Sequence, residues 1–370
     1  MMARTLRHGY TTGACAAAAA LGAARMLRDQ RLVTAVELAL PAGFAASFAL
    51  AGQAFDGERA RCFVVKDAGD DPDVTHGVEV HAELSWIAAA IWQPAITLVG
   101  GIGIGKVTKP GLAVAVGEPA INPVPRRMIL EAVAAVFPAL PAGRHLRVTI
   151  SIPDGEARAL RTLNERLGIV GGLSILGTTG VVKPISHQAW TDTLEVALDV
   201  ALAAEAPAVV FSTGRSSEAA AEQYLELPEE AFVMMGDHVG YALQAAHRKG
   251  VPQVVVAAQF AKLVKVACGH PQTHVGSSSL DLPKMARWAR NGGLDEGLAK
   301  TIECANTARE IFENIGMDHP LTALVADRAL AQLSGWAPGV DIAVLLVGYG
   351  DCQAVRFGNW PKELERKGRP

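Results

Sequence analysis

Short apolar and β-branched runs, separated by turn residues, dominate the first 155 residues of the chain. Runs of this kind predict β-strands. We expect strands at Thr34–Leu40, Ala46–Leu50, Arg61–Lys66, Val78–Ser85, Ala95–Val99, Leu112–Val116 and Leu146–Ile152. An alanine-rich helix should begin at a Thr11 or Thr12 N-cap and run to about Arg28, and a second helix should cover Arg127–Phe137. Residues 1–155 are therefore predicted to form an α+β domain with a mixed or antiparallel sheet.

In the second half of the chain, strand-like and helix-like runs alternate. The expected order is helix Thr191–Ala206, strand Ala208–Ser212, helix Ser216–Leu225, strand Ala231–Met235, helix Val239–Lys249, strand Gln253–Ala258 and helix Gln259–Ala267. Helices at about Asp295–Ile315 and Pro320–Ser334 then precede a last hairpin at residues 340–357, which turns at Gly348–Asp351. This alternation predicts a two-domain α/β protein in which residues 156–370 form a Rossmann-like domain with a parallel sheet. Ligands of such sheets bind at the carboxyl ends of the strands.

Composition narrows the classes of partner. A chain of 370 residues is long enough for two cores, and its net charge of −3 gives no general attraction for nucleic acid or an anionic membrane. No apolar stretch is long enough to span a bilayer. The N-terminus imitates a signal peptide, but alanine is only weakly hydrophobic, so the start of a cytoplasmic helix is the better interpretation. Five cysteines without a C-x-x-C pair favour reduced thiols and a cytoplasmic location, and they argue against a protein-bound metal. The oligomeric state, a homodimer included, stays open from sequence.

The segment 95–127 combines glycine, proline and basic residues. Gly101, Gly103 and Gly105 carry no side chain, so an anion could approach their backbone N–H groups. Four cations are close to them in sequence, namely Lys106, Lys109, Arg126 and Arg127. This combination predicts a site for a polyanion, with a ligand-free glycine hairpin as the alternative. The spacing from Gly100 to Lys106 imitates a nucleotide-binding P-loop, but Val107 replaces the required hydroxyl residue and no helix is expected to follow, which disfavours a kinase or ATPase.

An acidic loop at residues 67–77 contains Asp70 and Asp71 among four aspartates. It lacks the ligand spacing of an EF-hand. Its carboxylates could cap backbone N–H groups in a turn, as in many loops of this composition. Alternatively, crowding would raise a carboxyl pKa and create a proton acceptor. Both interpretations stay open from sequence.

Several turns in the second half have the composition of ligand sites. Ser212–Arg215 and Met235–His238 each place a glycine between a strand and a helix, with Asp237 or Glu218 as a candidate acceptor for ribose hydroxyls. The loop Leu176–Gly180 offers two threonine hydroxyls. Lys262 and Lys265 could meet ligand carboxylates or solvent. His238 and His274 are acid–base candidates, whereas Pro271 disrupts the helix that a zinc pair of His270 and His274 would need.

Segments spread in order over nearly the whole chain resemble the cobalt-precorrin-5B C1-methyltransferases of cobalamin biosynthesis. The matching segments are Gly9–Ala18, Asp67–His76, Val107–Leu112, Gly117–Arg126, Ser174–Val181, Lys262–Lys265 and Thr273–His274. The resemblance implies S-adenosylmethionine as methyl donor and a cobalt-containing, ring-contracted tetrapyrrole as acceptor, giving cobalt-precorrin-6A. A metal-free precorrin as substrate, or a non-catalytic tetrapyrrole-binding protein, are the alternatives.

The implied reaction gives each candidate residue a role. Because the tetrapyrrole carries acetate and propionate groups, cations should bind it. The expected substrate-binding residues are Thr11, Thr12, Lys106, Lys109, Arg126, Arg127, Lys183 and Lys262. The expected donor-binding residues are Gly177, Thr178, Thr179, Gly180, Thr213, Gly214, Gly236 and Asp237. Methyl transfer needs mainly alignment and exclusion of water, with modest acid–base help expected from Asp70, Asp71 and His274.

Overall fold

The computed structural model describes residues 6–90, 94–184, 186–350 and 352–366. The chain divides into two compact units, Met1–His187 and Gln188–Pro370, whereas the sequence pattern predicts a boundary after residue 155. Residues 156–187 stay with the first unit because their strands pair there. Val181–Val182 pairs with Gly9–Tyr10, and Ile169–Val170 pairs with Lys106–Val107.

The first unit contains eleven strands and three helices among its described residues. The strands are β1 (Gly9–Tyr10), β2 (Ala35–Ala39), β3 (Ala45–Ala49), β4 (Ala51–Phe55), β5 (Arg59–Val65), β6 (Glu79–Ala88), β7 (Ile96–Gly100), β8 (Lys106–Val107), β9 (Arg144–Ser151), β10 (Ile169–Val170) and β11 (Val181–Val182). The helices are α1 (Thr12–Asp29), α2 (Pro123–Val136) and α3 (Gly155–Ala159). The main sheet has the order β4-β5-β6-β9-β7, antiparallel except for the β9–β7 pair. The mixed sheet expected from the sequence is therefore present.

Helix α1 forms the centre of the first core. Its residues from Thr12 to Ala24 are all buried, and it packs on α2, β5 and β6. Alanine has the highest helix propensity and a small side chain, so this run both forms a helix and lets the sheet approach closely. As predicted, Thr11 is the N-cap, with its hydroxyl accepting a hydrogen bond from the Ala14 N–H at 3.2 Å. The helix ends one residue beyond the predicted Arg28.

One predicted strand of the first unit is wrong. Residues 112–116 form turns and bends. Gly111 and Gly117, with φ of +97° and +93°, turn the chain on either side of this short apolar run. Only Val114 of the run is buried, in a small cluster with Val107, Ala120 and Ile169. Val114 and the partly buried Leu112 therefore pack in a local cluster, and the run does not pair in a sheet.

The second unit contains five strands and eight helices among its described residues. The strands are β12 (Val209–Ser212), β13 (Phe232–Met234), β14 (Gln253–Gln259), β15 (Asp341–Val347) and β16 (Ala354–Gly358). The helices are α4 (His187–Ala203), α5 (Arg215–Tyr224), α6 (Val239–Lys249), α7 (Phe260–Ala267), α8 (Leu282–Asn291), α9 (Glu296–Cys304), α10 (Ala308–Ile315) and α11 (Pro320–Trp336). The sheet order is β13-β12-β14-β15-β16, with β16 antiparallel and the other pairs parallel. The protein is thus a mixed α/β protein with several sheets, including parallel strands.

The central strands of this sheet are buried on both faces. Along β14, Val254 and Val256 belong to one core cluster, and Val255 and Ala257 belong to another. Helices on both faces therefore explain why β14 is a continuous apolar run and not an alternating one.

Among the described residues, none of the helices combines the length and the hydrophobicity needed to cross a membrane.

Two details of the second unit differ from the prediction. The single helix expected at Asp295–Ile315 is two helices, because the Thr307 hydroxyl caps a new helix by accepting from the Glu310 N–H at 3.1 Å. Helix α8 has no counterpart in the prediction. The last hairpin is present, while Asp351 of its turn lies outside the described residues.

Candidate functional site

The glycines of the segment 95–127 permit close packing of backbone against backbone. The N–H groups of Gly101 and Gly105 donate to the carbonyls of Ile150 and Leu173, at 2.7 and 2.9 Å. A Cβ at Gly103, where φ is +71°, would collide with the Ile152 carbonyl oxygen. The prediction that the Gly101 and Gly105 N–H groups are open to an anion is therefore wrong. Because strand β8 follows directly, the P-loop alternative lacks its helix.

The basic side chains near this segment are mostly accessible, and their ion pairs are long. The Arg126 guanidinium lies 3.5 Å from Glu118, and that of Arg127 lies 3.9 Å from Glu131. Lys106 is exposed, and its strand neighbour Val107 donates its N–H to the carbonyl of Glu118, the residue whose carboxylate lies near the Arg126 guanidinium.

Two further predicted cations differ in how firmly they are held. Lys109 Nζ donates to the Arg166 carbonyl at 3.4 Å, and its stem packs on Gly168. Lys183 is exposed directly after β11. Surface ion pairs and long contacts of this kind are weak, so incoming ligand carboxylates can replace them.

The loop Leu176–Gly180 closes around the amino terminus of α1. The Thr12 hydroxyl accepts from the Leu176 N–H at 3.0 Å, and the Thr11 N–H donates to the Gly180 carbonyl at 3.0 Å. Gly177, with φ of +120°, packs directly on the Thr11 side chain. Thr11 and Thr12 are buried and bonded within the fold, whereas Thr178 and Thr179 are exposed.

The four predicted donor residues of this loop lie in the first unit, while Thr213, Gly214, Gly236 and Asp237 lie in the second.

Each acid of the loop 67–77 whose pKa is shifted has a basic partner. A hydrogen bond from Arg7 lowers the pKa of Asp67 to about 2, with help from the Gly69 N–H. Burial favours protonation of Asp73, but the charge and hydrogen bond of Lys66 outweigh it and lower its pKa. The expectation of crowded acids with raised pKa values is wrong for these two. Asp70 accepts from the Arg7 N–H at 2.9 Å.

Lys66 holds this loop in place, and sequence reasoning overlooks it. Its side chain is only 1% exposed, and its Nζ lies 2.6 Å from Asp73 Oδ2. Asp73 also accepts from the Thr75 hydroxyl at 2.6 Å. A lysine that directly follows a strand and precedes an acidic run is the signal that could have identified the pair. This ion pair anchors the loop that carries Asp70 and Asp71.

In the second unit, polar groups gather at the carboxyl end of the parallel strands. After β12, Gly214 faces open space, and α5 starts at Arg215 without a side-chain cap. The Thr213 and Ser217 hydroxyls are 3.3 Å apart. Glu218 is buried and accepts from the Ser212 hydroxyl at 3.1 Å. Glu218 is thus engaged in a buried hydrogen bond, which leaves Asp237 as the candidate acceptor for ribose hydroxyls at this edge.

Asp237 follows β13 and forms an ion pair with Lys262 of α7. The same oxygen, Oδ1, accepts from the Thr273 hydroxyl at 2.6 Å. Burial favours the neutral acid, but the Lys262 and Thr273 hydrogen bonds outweigh it and lower the pKa of Asp237. Lys265 donates to the Thr273 carbonyl at 2.9 Å, and its pKa is lowered by burial and by the Lys262 charge.

The structure therefore brings together three predicted site residues, Asp237, Lys262 and His274, because His274 directly follows Thr273, whose hydroxyl donates to Asp237. The His274 Nδ1 accepts from the Gly276 N–H at 3.1 Å. Thr273, absent from the predicted site, bonds to Asp237, and Lys265, which the sequence left between ligand and solvent, donates to the Thr273 carbonyl. No group of three His, Cys, Asp or Glu side chains within the described ranges is placed to hold a metal ion.

These features define a mixed α/β protein with accessible cations in its first unit and a polar cluster at a parallel sheet edge in its second. Residues 1–184 match the family model CbiD, and residues 272–351 match the model CbiD, C-terminal domain. A cobalt-precorrin-5B C(1)-methyltransferase of Geobacter sulfurreducens is 56% identical over 365 residues, covering 97% of this chain and 100% of that protein. One of Geobacillus kaustophilus is 45% identical over 309 residues, covering 83% and 82%.

The crystal structure of the cobalamin biosynthesis protein (cbiD) from Archaeoglobus fulgidus is also similar, at 26% identity and a TM-score of 0.39, covering 78% of this chain and 85% of that one. The family matches and the full-length relatives lead to one conclusion. The chain belongs to the CbiD family.

Proposed function

We propose that this chain is an S-adenosylmethionine-dependent C-methyltransferase of cobalamin biosynthesis that methylates C1 of cobalt-precorrin-5B to give cobalt-precorrin-6A. One observation carries the proposal: relatives named for this reaction match at 45–56% identity over 82–100% of their own length. A cytoplasmic location and a homodimer stay predictions.

The methyl donor is assigned to the carboxyl edge of the second unit's sheet, interpreted as a Rossmann-like domain. In the order β13-β12-β14, the chain leaves β12 toward one side and returns on the other, and ligands bind at such switch points. Thr213 and Gly214 end β12 at this point, beside the uncapped amino terminus of α5. Free N–H groups there suit an anionic part of the donor, such as its carboxylate.

Asp237 fits the ribose of the donor. Within the described residues, the hydrogen bonds from Lys262 and Thr273 both go to Oδ1 of this carboxylate, so Oδ2 is available to ribose hydroxyls. Its lowered pKa keeps the group an acceptor at neutral pH. Gly236, with φ of +59°, makes the turn that presents it. The sequence-based assignment of Gly177, Thr178, Thr179 and Gly180 to the donor stays a prediction; Thr178 and Thr179 are exposed in the first unit.

The substrate carboxylates are assigned to the accessible cations of the first unit, namely Lys106, Lys109, Arg126, Arg127 and Lys183. Guanidinium groups suit carboxylates because two N–H groups can bind both oxygens. Lys262, predicted to bind the substrate, pairs with Asp237 in the structure, so we assign to it the positioning of that carboxylate. Thr11 and Thr12 are buried, so we assign their contribution to fixing the loop Leu176–Gly180.

When bound, S-adenosylmethionine supplies the methyl group: its sulfur–methyl bond breaks with the electron pair staying on sulfur, while C1 provides the pair for the new bond. The protein's task is to align the two reactants, exclude water and accept the proton that the macrocycle then releases. Asp70 and Asp71 are the proposed acceptors. The Nδ1 of His274 is already occupied as an acceptor for the Gly276 N–H, so its Nε2 is the ring nitrogen that we assign to acid–base help.

The proposal is tested by incubating the protein with donor labelled in its methyl group and with cobalt-precorrin-5B, then recording the mass spectrum of the pigment. We expect the gain of one labelled methyl group. A parallel incubation with the metal-free precorrin tests the first alternative, which labelling of that pigment alone would favour. Binding of the pigment without any labelling would favour a non-catalytic binding protein.

A further inference from the structure

Trp190 is an exposed aromatic side chain at the sheet edge assigned to the methyl donor. It lies in the first turn of α4, and 45% of the residue is exposed. It is exposed, whereas the other tryptophans in the described ranges are partly or fully buried. Exposing so large an apolar surface is unfavourable in water, so a ligand that covers this ring would be stabilised.

The orientation of the Trp190 ring is fixed. Its indole N–H donates to the Met235 carbonyl at 3.1 Å, which ties the ring to the end of β13. The ring packs on Gly236, where a Cβ would lie only 2.9 Å from Trp190 Cζ2. It also stands nearly parallel to His238, with 22° between the ring planes. Because the ring is already ordered, stacking on it costs little conformational entropy.

The neighbour of this ring is the proposed ribose acceptor. Gly236, on which the ring packs, directly precedes Asp237, whose Oδ2 is available. A flat aromatic surface next to a carboxylate matches a nucleoside, since the base stacks while the ribose hydroxyls donate hydrogen bonds. An acid-fringed macrocycle would instead bring its carboxylates toward that of Asp237.

We propose that Trp190 is the stacking surface for the adenine of the methyl donor. This inference rests on the proposed function, because it assumes an adenosine-containing donor. It assigns to Trp190 a binding role, and to Gly236 the role of allowing the indole to lie next to Asp237.

The test measures binding of S-adenosylhomocysteine and of adenosine by titration calorimetry, without any pigment. The variants are Trp190→Ala, which removes the ring, and Trp190→Phe, which removes the indole N–H but keeps an aromatic face. Phe44→Ala is the matched control, because Phe44 is an aromatic residue of similar exposure in the first unit. Thermal melts check that each variant is folded.

We expect Trp190→Ala to weaken binding of both ligands about 10- to 100-fold, the range typical of one base–aromatic stack. Trp190→Phe should retain most of the affinity, and Phe44→Ala all of it. Should Trp190→Ala fail to fold, ligand quenching of indole fluorescence that is present in the wild type and lost in Trp190→Phe supports the inference, and unchanged quenching overturns it.

Two further outcomes separate the inference from the proposed function. Wild-type affinity of folded Trp190→Ala for both ligands would overturn the stacking role alone. A wild-type protein that binds neither S-adenosylhomocysteine nor adenosine would overturn the donor assignment together with the inference.

Discussion

The substitution Asp73→Asn tests the role of the buried ion pair beneath the acidic loop. It keeps the size of the side chain and an oxygen that can still accept from Thr75, but it removes the charge next to Lys66. The Lys66 side chain is 1% exposed, so water cannot replace the lost carboxylate. Breaking a buried pair by removing one partner costs about 3–5 kcal/mol. Because Asp73 is itself 26% exposed, we expect the lower end, about 3 kcal/mol.

The complementary variants locate the source of this loss. Lys66→Met removes the buried charge and leaves Asp73 partly solvated, so it should cost less than Asp73→Asn. The double variant should recover part of the Asp73→Asn loss, since no buried cation is left unpaired. Glu131→Gln, in the exposed pair with Arg127, is the matched control and should have no measurable effect. The assay is the free energy of unfolding in urea, followed by circular dichroism.

The effect should also depend on pH in a defined direction. The pKa of Asp73 is lowered on folding, so its ionised form stabilises the protein above the unfolded pKa, and this stability is lost as pH falls through the folded pKa. The difference in free energy of unfolding between wild type and Asp73→Asn should therefore have its full size at neutral pH and become smaller below about pH 4. A difference at neutral pH as small as that of Glu131→Gln would refute the reasoning.

Three further predictions concern separate parts of the molecule. Gly103→Ala should destabilise the protein strongly, by about 3 kcal/mol or more, because its Cβ would meet the Ile152 carbonyl. Gly117→Ala, with no atom within 4 Å, should cost only about 1–2 kcal/mol in a thermal melt. Equal losses would contradict the close backbone contact between Gly103 and Ile152. Arg126→Gln combined with Arg127→Gln should weaken pigment binding at least about tenfold in an absorbance titration while leaving S-adenosylhomocysteine binding unchanged, and unaltered pigment affinity would remove these residues from the substrate site. Asp237→Asn should weaken S-adenosylhomocysteine binding about tenfold by calorimetry, and wild-type affinity would exclude Asp237 as the ribose acceptor.

The strands and helices were predictable where the local hydrophobic pattern alone determines the element. Strand β5 alternates between exposed and buried residues, and helix α6 has the predicted bounds Val239–Lys249. The failures have tertiary causes. Residues 112–116 look like a strand because they are apolar, yet their burial comes from a small local cluster. The two-residue strands β10 and β11 carry no detectable pattern, although their pairing keeps residues 156–187 in the first unit.

The sequence suggests candidate site residues, but it does not give the contacts between them. Composition identified Asp237 and Lys262, and the structure adds the ion pair between them and the threonine that completes it. The glycines near Gly103 suggested open N–H groups, but glycine permits close backbone packing as readily as ligand approach. Sequence cannot distinguish these two uses, because the distinction depends on residues about 50 to 70 positions away, such as Ile150 and Leu173.

The central claim is that this chain transfers a methyl group from S-adenosylmethionine to C1 of cobalt-precorrin-5B. The most direct measurement is carbon-13 NMR of the pigment formed from donor labelled with carbon-13 in its methyl group. We predict a single enriched methyl resonance, correlated with C1 of the macrocycle. Enrichment at a different ring carbon, or an unlabelled pigment after complete incubation, would contradict the claim.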